Sequence, residues 1–206
     1  MLLLSTAYFA PISYYSKLLS NDSVVVEMHE NYIRKSYRNR CTIYATNGLL
    51  NLTVPVVNGE ENKTLITDVE ISYDTPWQKL HFKSLESAYR RSPFYEYYID
   101  DFMIFFNERH KYLYQFNMQI LKSVCRLIKI PFNVRESSAY VKTAGEGVID
   151  LRNRIHPKIR QNFILQSYNQ VFSAKHGFKP DLSILDLLFN TGPEAKKRGS
   201  PVKCVG

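Results

Sequence analysis

Short apolar runs dominate the first third of the chain, and helical periodicity appears only after residue 76. Residues 2–7 (LLLSTA) read as a short buried strand. Pro11 stands just ahead of SYYSKLLS, where its fixed φ suits the first turn of a helix, and Tyr14, Leu18 and Leu19 supply one packing face. Asn21 and Asp22 break that helix, and residues 24–26 (VVV) make a second strand. Strand, helix and strand in so short a span predict a βαβ unit with parallel strands and a right-handed crossover. Residues 40–44 and 49–54 flank Ala45-Thr46-Asn47-Gly48, a hairpin signal. Residues 57–63 read as a polar loop. Residues 65–72 (LITDVEIS) read as a strand, with Asp68 and Glu70 alternating against Val69 and Ile71.

Beyond Pro76 the period changes. Trp77, Leu80, His81, Ser84, Leu85 and Ala88 form one helical face, and Lys79, Lys83, Glu86 and Arg90 the other. Glu86 stands four residues before Arg90, the favourable order for a helical ion pair. Ser92-Pro93 stops this helix, and an aromatic helix follows over residues 95–109. Residues 112–129 carry the clearest pattern, with Leu113, Phe116, Ile120, Val124 and Leu127 facing in, and Pro131 ends it. Asn117 falls near that apolar face, where a buried amide ties down a loop backbone. Residues 132–141 read as a strand pair, residues 144–158 as a loop with a short strand, and residues 163–175 as helical. A last helix, SILDLLFN, opens at Ser183, with Asp186 completing an approximate capping box, and closes at Asn190 to Gly192. The expected fold is α/β: a mostly parallel twisted sheet flanked by helices, with the C-terminal helical segment docked on it. Residues 1–195 form a single domain, and residues 196–206 a basic tail.

Composition narrows the choice of partners. With 206 residues, 45% of them hydrophobic, the chain can bury one sizeable core. A net charge of +8 favours anionic partners: phosphates, nucleotides, nucleic acid or an anionic membrane face. Cys41, Cys125 and Cys204 are well separated and form no CxxC, which points to a reducing, cytoplasmic setting. MLLLSTAYFAP lacks a basic n-region, so no signal peptide is expected, and no apolar window is long enough for a membrane span. His110, His156 and His176 are scattered, so neither a metal nor a cofactor is expected. GxSxG, Walker and GxGxxG patterns are missing from the sequence, which leaves serine hydrolases, P-loop enzymes and classical dehydrogenases unsupported.

Candidate chemistry concentrates in residues 22–55. The valine run ends in Glu27, His29 and Glu30, and a basic, aromatic segment follows: Tyr32, Arg34, Lys35, Tyr37, Arg38, Asn39 and Arg40. Guanidinium forks suit phosphate oxygens, and tyrosines stack bases or sugars. His29 and Glu30, just past a strand end, are candidate general bases. Tyr8, Pro11 and Tyr14 lie in the loop after the first strand, which points at the ligand in open parallel sheets, while the next helix offers free N–H groups. Trp77 and His81 are second contributors. The plainer readings are a solvated charged loop, a histidine that caps locally, and a core-edge His81. Interleaved basic and aromatic residues also suit single-stranded nucleic acid, although the charge gathers in one loop and the tail rather than in a stripe.

Several segments carry a resemblance: YFAPISYYSKL (residues 8–18), HENYIRKSYRNRC (29–41), ATNGLLNLTVPV (45–56), ITDVEISYDTPWQKLHFKSLESAYRRSPFYEYY (66–98), KYLYQFN (111–117) and HGFKPDLSILDLLFNTGPEA (176–195). In this order they resemble the WbqC-like family of bacterial proteins, and the last piece resembles its Bacteroidetes-type branch. Tyr8-Phe9-Ala10-Pro11 stands where other branches carry a His-Gln-Pro element. The resemblance implies a role in surface-polysaccharide and O-antigen biosynthesis, with transfer of a glycyl or related acyl group to a nucleotide-linked amino sugar. The sugar's diphosphate matches Arg34, Arg38 and Arg40. His29 is then the base that deprotonates the ammonium, and Asn39 or a backbone N–H the oxyanion donor. The rival readings are a non-catalytic binder of a nucleotide or glycan precursor, and a single-stranded nucleic-acid binder.

Overall fold

A computed structural model describes residues 1–57, 64–159 and 165–200. The elements run β1 (Leu2–Ser5), α1 (Ile12–Leu19), β2 (Val24–Glu27), β3 (Arg40–Ala45), β4 (Gly48–Thr53), α2 (Trp77–Tyr89), α3 (Tyr95–Asn107), α4 (Leu113–Leu127), β5 (Val134–Glu136), β6 (Ile149–Asp150), α5 (Ser173–His176), α6 (Ile184–Thr191) and α7 (Ala195–Arg198). Four of the strands form one parallel sheet in the order β5-β2-β1-β6. β3 and β4 form a separate antiparallel hairpin that turns at Thr46-Asn47, with Gly48 opening β4 opposite Ala45. The α/β fold is therefore as the sequence pattern predicts.

Hydrophobicity explains the layers. Leu2, Leu4, Val24 and Val26 are sealed from solvent, as expected of parallel strands covered on both faces. Phe9 turns into the helical layer, its ring edge-on to Phe102 at 5.5 Å and to Phe105 at 6.3 Å. In α4, Leu113, Phe116, Ile120 and Val124 are buried, and the Asn117 amide donates to the Arg38 carbonyl at 2.7 Å, holding the basic loop. No helix among the described residues is long and apolar enough to cross a membrane.

Several expectations need correction. Residues 65–72 form no strand. A single helical turn, Ile66–Asp68, is flanked by isolated bridges from Leu65 to Asn31, Glu70 to Tyr112 and Ile71 to Val56. The alternation there tracks burial of Ile66, Val69 and Ile71 without a continuous ladder. The pair expected over residues 132–141 reduces to the three residues of β5. Of the helix expected over residues 163–175, only Ser173–His176 is helical, and residues 163 and 164 lie outside the described residues, as does most of the expected loop at 57–63. Leu80, expected on the inner face of α2, is exposed, and Tyr89 is buried instead. The start of the basic tail is helical, as α7, while residues 201–206 lie outside the described residues.

The C-terminal segment docks through backbone as well as side chains. The Ile12 amide donates to Leu182 O and the Ile184 amide to Ala10 O, at 2.9 and 3.0 Å, clamping α6 across the start of α1. Ser183 caps α6, and its hydroxyl donates to Phe9 O at 2.9 Å. Gly192 ends α6 at φ +53, and a Cβ there would sit 2.5 Å from the Phe94 ring. Asp186 turns inward rather than closing a capping box. It is fully buried, and Oδ2 accepts from Gln170 Nε2 at 2.9 Å and from the Tyr168 hydroxyl.

Burial pushes the Asp186 carboxyl up to about 6, against 3.8 ordinarily, although the bonds from Tyr168 and Gln170 oppose the shift. A carboxyl with a raised folded-state pKa binds its proton more tightly when folded. Its stabilisation is therefore complete below the ordinary value and lost as pH rises through about 6. We expect wild-type stability to gain on that of Asp186→Asn as pH falls from neutral toward 4, by roughly 3 kcal/mol at the limit. Parallel thermal melts of both proteins across this window check it.

Candidate functional site

The sheet order sets where a ligand can enter. From β1 the chain moves to β2 on one side and from β2 to β5 beyond it, but β6 lies on the other side of β1. That reversal makes the carboxyl ends of β1 and β6 a topological switch point, where open parallel sheets bind ligands. Side chains crowd there. A narrow crevice is lined by Ser5, Thr6, Ala7, Tyr14, Tyr37, Arg38, Leu151, Arg152 and Ile155. Beside it opens a cleft of about 290 Å³ lined by His29, Glu30, Asn31, Tyr32, Ile33, Tyr140, Arg152 and Asn153. Another hollow, of about 160 Å³, lies at the opposite strand ends near Leu18, Val24 and Val134, but no histidine lines it.

Buried ion pairs floor the cleft. The Arg38 Nε donates to Glu30 Oε1 at 2.8 Å and its Nη2 to Oε2, with both side chains at least 94% buried. Ser5 Oγ, at the end of β1, accepts from Arg38 Nη2 at 2.7 Å and lies 3.0 Å from Glu30 Oε2 and 2.9 Å from Arg152 O. Arg152 reaches Glu27 Oε2 at 3.1 Å and grips both oxygens of Asp150. Its guanidinium carbon lies 5.2 Å from the centre of the Tyr140 ring, a cation–π contact at the cleft wall. These hydrogen bonds hold the Asp150 carboxyl below the usual carboxylate range. Three carboxylates, Glu27, Glu30 and Asp150, meet two guanidiniums, and the charge of Arg154 also acts on Asp150.

His29 is held at both ends. Its amide donates to Glu27 Oε1 at 2.9 Å, and its ring Nε2 lies 3.1 Å from the Ser137 carbonyl. A carbonyl can only accept, so Nε2 carries a proton and Nδ1 is the proton-accepting nitrogen of the neutral ring. Ser137 is fixed in turn, its hydroxyl donating to Glu27 Oε1 at 2.6 Å and accepting from the Met28 amide at 3.0 Å. Glu27 thereby anchors the arm that carries His29.

The remaining sequence-predicted site residues divide. Tyr14, Tyr32 and Tyr37 line the crevice or the cleft, and the Tyr14 hydroxyl donates to Ser5 O at 3.0 Å. Arg34 and Lys35 are exposed just beyond Ile33. Arg40 is half-buried, and its Nε has no hydrogen-bond partner among the described residues. Asn39 donates its amide to Val54 O at 2.8 Å, which commits it to the hairpin. Tyr8, Trp77 and His81 form a separate buried cluster: the Tyr8 hydroxyl lies 2.9 Å from His81 Nδ1, and Trp77 packs edge-on to His81 at 5.1 Å. Burial there pushes the His81 imidazole down to about 4. Pro11 is buried beneath α6 by its bridge to Ser183. The N-terminus of α1 receives the chain's own anion, since Asp181 accepts from the Ser13 amide at 2.7 Å and from its hydroxyl at 2.9 Å.

Sequence reading passed over Ser5, Ser137, Tyr140, Asp150 and Arg152. The available signal was Val148-Ile149-Asp150-Leu151-Arg152, a short apolar run ending in acid, as at Val26-Glu27. Among the described residues, no group of three or more His, Cys, Asp and Glu side chains converges as a metal ion requires.

Removing one partner of a buried ion pair leaves the other desolvated and uncompensated. Arg38→Met should cost about 3–5 kcal/mol, and adding Glu30→Leu should recover most of it. Urea unfolding of both single variants and the double variant measures the coupling.

The sequence pattern of the WbqC-like protein family matches residues 6–159, which include the His29 arm, the basic loop and Arg152. The chain is also 27% identical over 208 residues to the Uncharacterized protein Rv1507c of Mycobacterium tuberculosis, covering 88% of this chain and 89% of that protein. No solved structure matches the chain significantly. The family pattern spans three-quarters of the chain, and the protein belongs to the WbqC-like family.

Proposed function

We propose that the protein is a cytoplasmic transferase that moves a glycyl or other acyl group onto the amine of a nucleotide-linked amino sugar, for surface polysaccharide or O-antigen biosynthesis. The observation that carries this reading is that His29, Nε2 bonded to the Ser137 carbonyl, shares one cleft with the Glu30 carboxylate. Glu30 is the acidic group the cleft offers a substrate ammonium, and the cationic loop of Arg34, Lys35 and Arg40 supplies the field for its diphosphate. His29 Nδ1 takes a proton from the ammonium, and the freed amine lone pair attacks the acyl carbonyl. The carbon–nitrogen bond forms as the bond from carbonyl carbon to the donor's leaving group breaks, and that group departs with the electron pair and takes up the second proton that the nitrogen sheds. Backbone N–H groups of the cleft are the available oxyanion donors, because the Asn39 amide is committed to Val54. Tyr32 and Tyr140 offer rings for a base or sugar.

A second reading, a non-catalytic binder of the same class of molecule, draws on one specific fact. Every buried charge of the floor already has a partner within the protein, as a purely structural network requires. Turnover separates the two readings.

Incubating the protein with activated acyl donors and a panel of nucleotide-linked amino sugars should give the N-acylated sugar. His29→Ala should lower kcat by about 10²- to 10⁴-fold, the range for loss of a general base, and leave sugar binding close to wild type. Binding without turnover in any combination selects the binder, and neither binding nor turnover removes both.

A further inference from the structure

We propose that β4 is a dimerisation edge, at which two copies of the chain pair their β4 strands antiparallel about a two-fold axis at Asn51. The two hairpins then form one four-stranded sheet. The Val54 amide donates to Asn39 O at 2.7 Å, so the backbone groups of Leu52, Leu50 and Gly48 face β3. Those of Leu49, Asn51 and Thr53 therefore face outward. Two bonds on the far side of β3 confirm the alternation: Thr42 O accepts from the Ser183 amide at 2.8 Å, and the Tyr44 amide donates to the Tyr89 hydroxyl at 3.0 Å. That edge is covered by α6 and α2.

The β4 edge has no such cover among the described residues. Its backbone groups lack ladder partners, although the Thr53 carbonyl is approached by the His81 ring. Proteins normally protect an open edge with charge, proline or a bulge. This one reads GLLNLT, and Leu49 and Leu50 are 58% and 38% exposed. A chain of net charge +8 repels its own copies across most of its surface, and the neutral strip of β4 is where two copies approach at least cost.

The strand is also complementary to itself. Antiparallel pairing centred on Asn51 sets Asn51 opposite the second copy's Asn51 and Leu49 opposite the second copy's Thr53. Both are positions whose amides face outward. Four backbone hydrogen bonds form without using the Thr53 carbonyl. The same register sets Leu50 opposite the second copy's Leu52, an apolar cross-strand pair in each half. The two Asn51 side chains stand side by side on one face, where each Oδ1 already accepts from Thr42 Oγ1 at 2.8 Å.

Light scattering coupled to size-exclusion chromatography tests this over micromolar to near-millimolar protein. The wild-type mass should rise with concentration from 24.1 kDa toward twice that value. Leu49→Lys adds a repelling charge to an exposed position. Asn51→Pro deletes a donor that faces outward, a position an edge strand tolerates. Both variants should stay at 24.1 kDa, and Leu49→Lys should melt as wild type does. If Asn51→Pro fails to fold, Leu49→Lys decides alone. Hydrogen exchange at the Asn51 and Thr53 amides should slow with wild-type concentration. A wild-type mass of 24.1 kDa throughout the range, or dimers that survive Leu49→Lys, overturns the proposal.

Discussion

Moving a charged side chain out of water costs several kcal/mol, and the sheet of this protein ends in five of them. Glu27, Glu30, Arg38 and Arg152 are almost wholly buried, and Asp150 partly so. Each guanidinium ties together different stretches of chain. Arg38 links the basic loop to Glu30 and to Ser5 of β1. Arg152 links β6 to Glu27 of β2. The four sheet strands are only two to four residues long, so their ladders alone fix their ends weakly. The ion pairs fix those ends. Relative placement of the β1, β2 and β6 ends, and of the His29 arm between Glu27 and Ser137, follows from them.

The same pairing shapes the chemistry. Arg38 and Arg152 are paired inside the protein, while exposed cations sit outside on the loop after Ile33. In the proposed reaction, Glu30 faces the ammonium end of the substrate and the loop its phosphates. The Ser137 carbonyl holds the proton on His29 Nε2, which leaves Nδ1 for the proton transfer proposed above. Tyr8 and His81, which sequence grouped with this chemistry, pack instead among the aromatics of the helical layer, with Tyr8 stacked on Phe116 of α4 and His81 edge-on to Trp77.

Legibility in the sequence followed length and locality. The βαβ unit, the Asn47-Gly48 hairpin and helices α2, α3 and α4 announce themselves by periodicity, turn residues or both. β5 and β6, with three and two residues, are shorter than any period can reveal. Residues 65–72 alternate because Ile66, Val69 and Ile71 are buried in turn, and burial imitates the strand pattern without the ladder. Arg38 reads as one of a row of exposed cations, yet it is 2% exposed, because its partner Glu30 is brought back by the turn between them. Arg152 and Glu27 lie 125 residues apart, and no local pattern marks such a pair. The free N–H groups at the start of α1 were legible, but Asp181, the anion that fills them, was not.

The central claim is that a nucleotide-linked amino sugar binds at the switch-point cleft beside His29. Amide chemical-shift mapping during titration with such sugars tests it directly. Shifts should concentrate at His29, Asn31, Ile33, Tyr140 and Asn153, with the His29 ring signals moving as the substrate ammonium arrives. Shifts confined to the hollow at the opposite strand ends, or no shifts with any sugar of this class, would contradict the account.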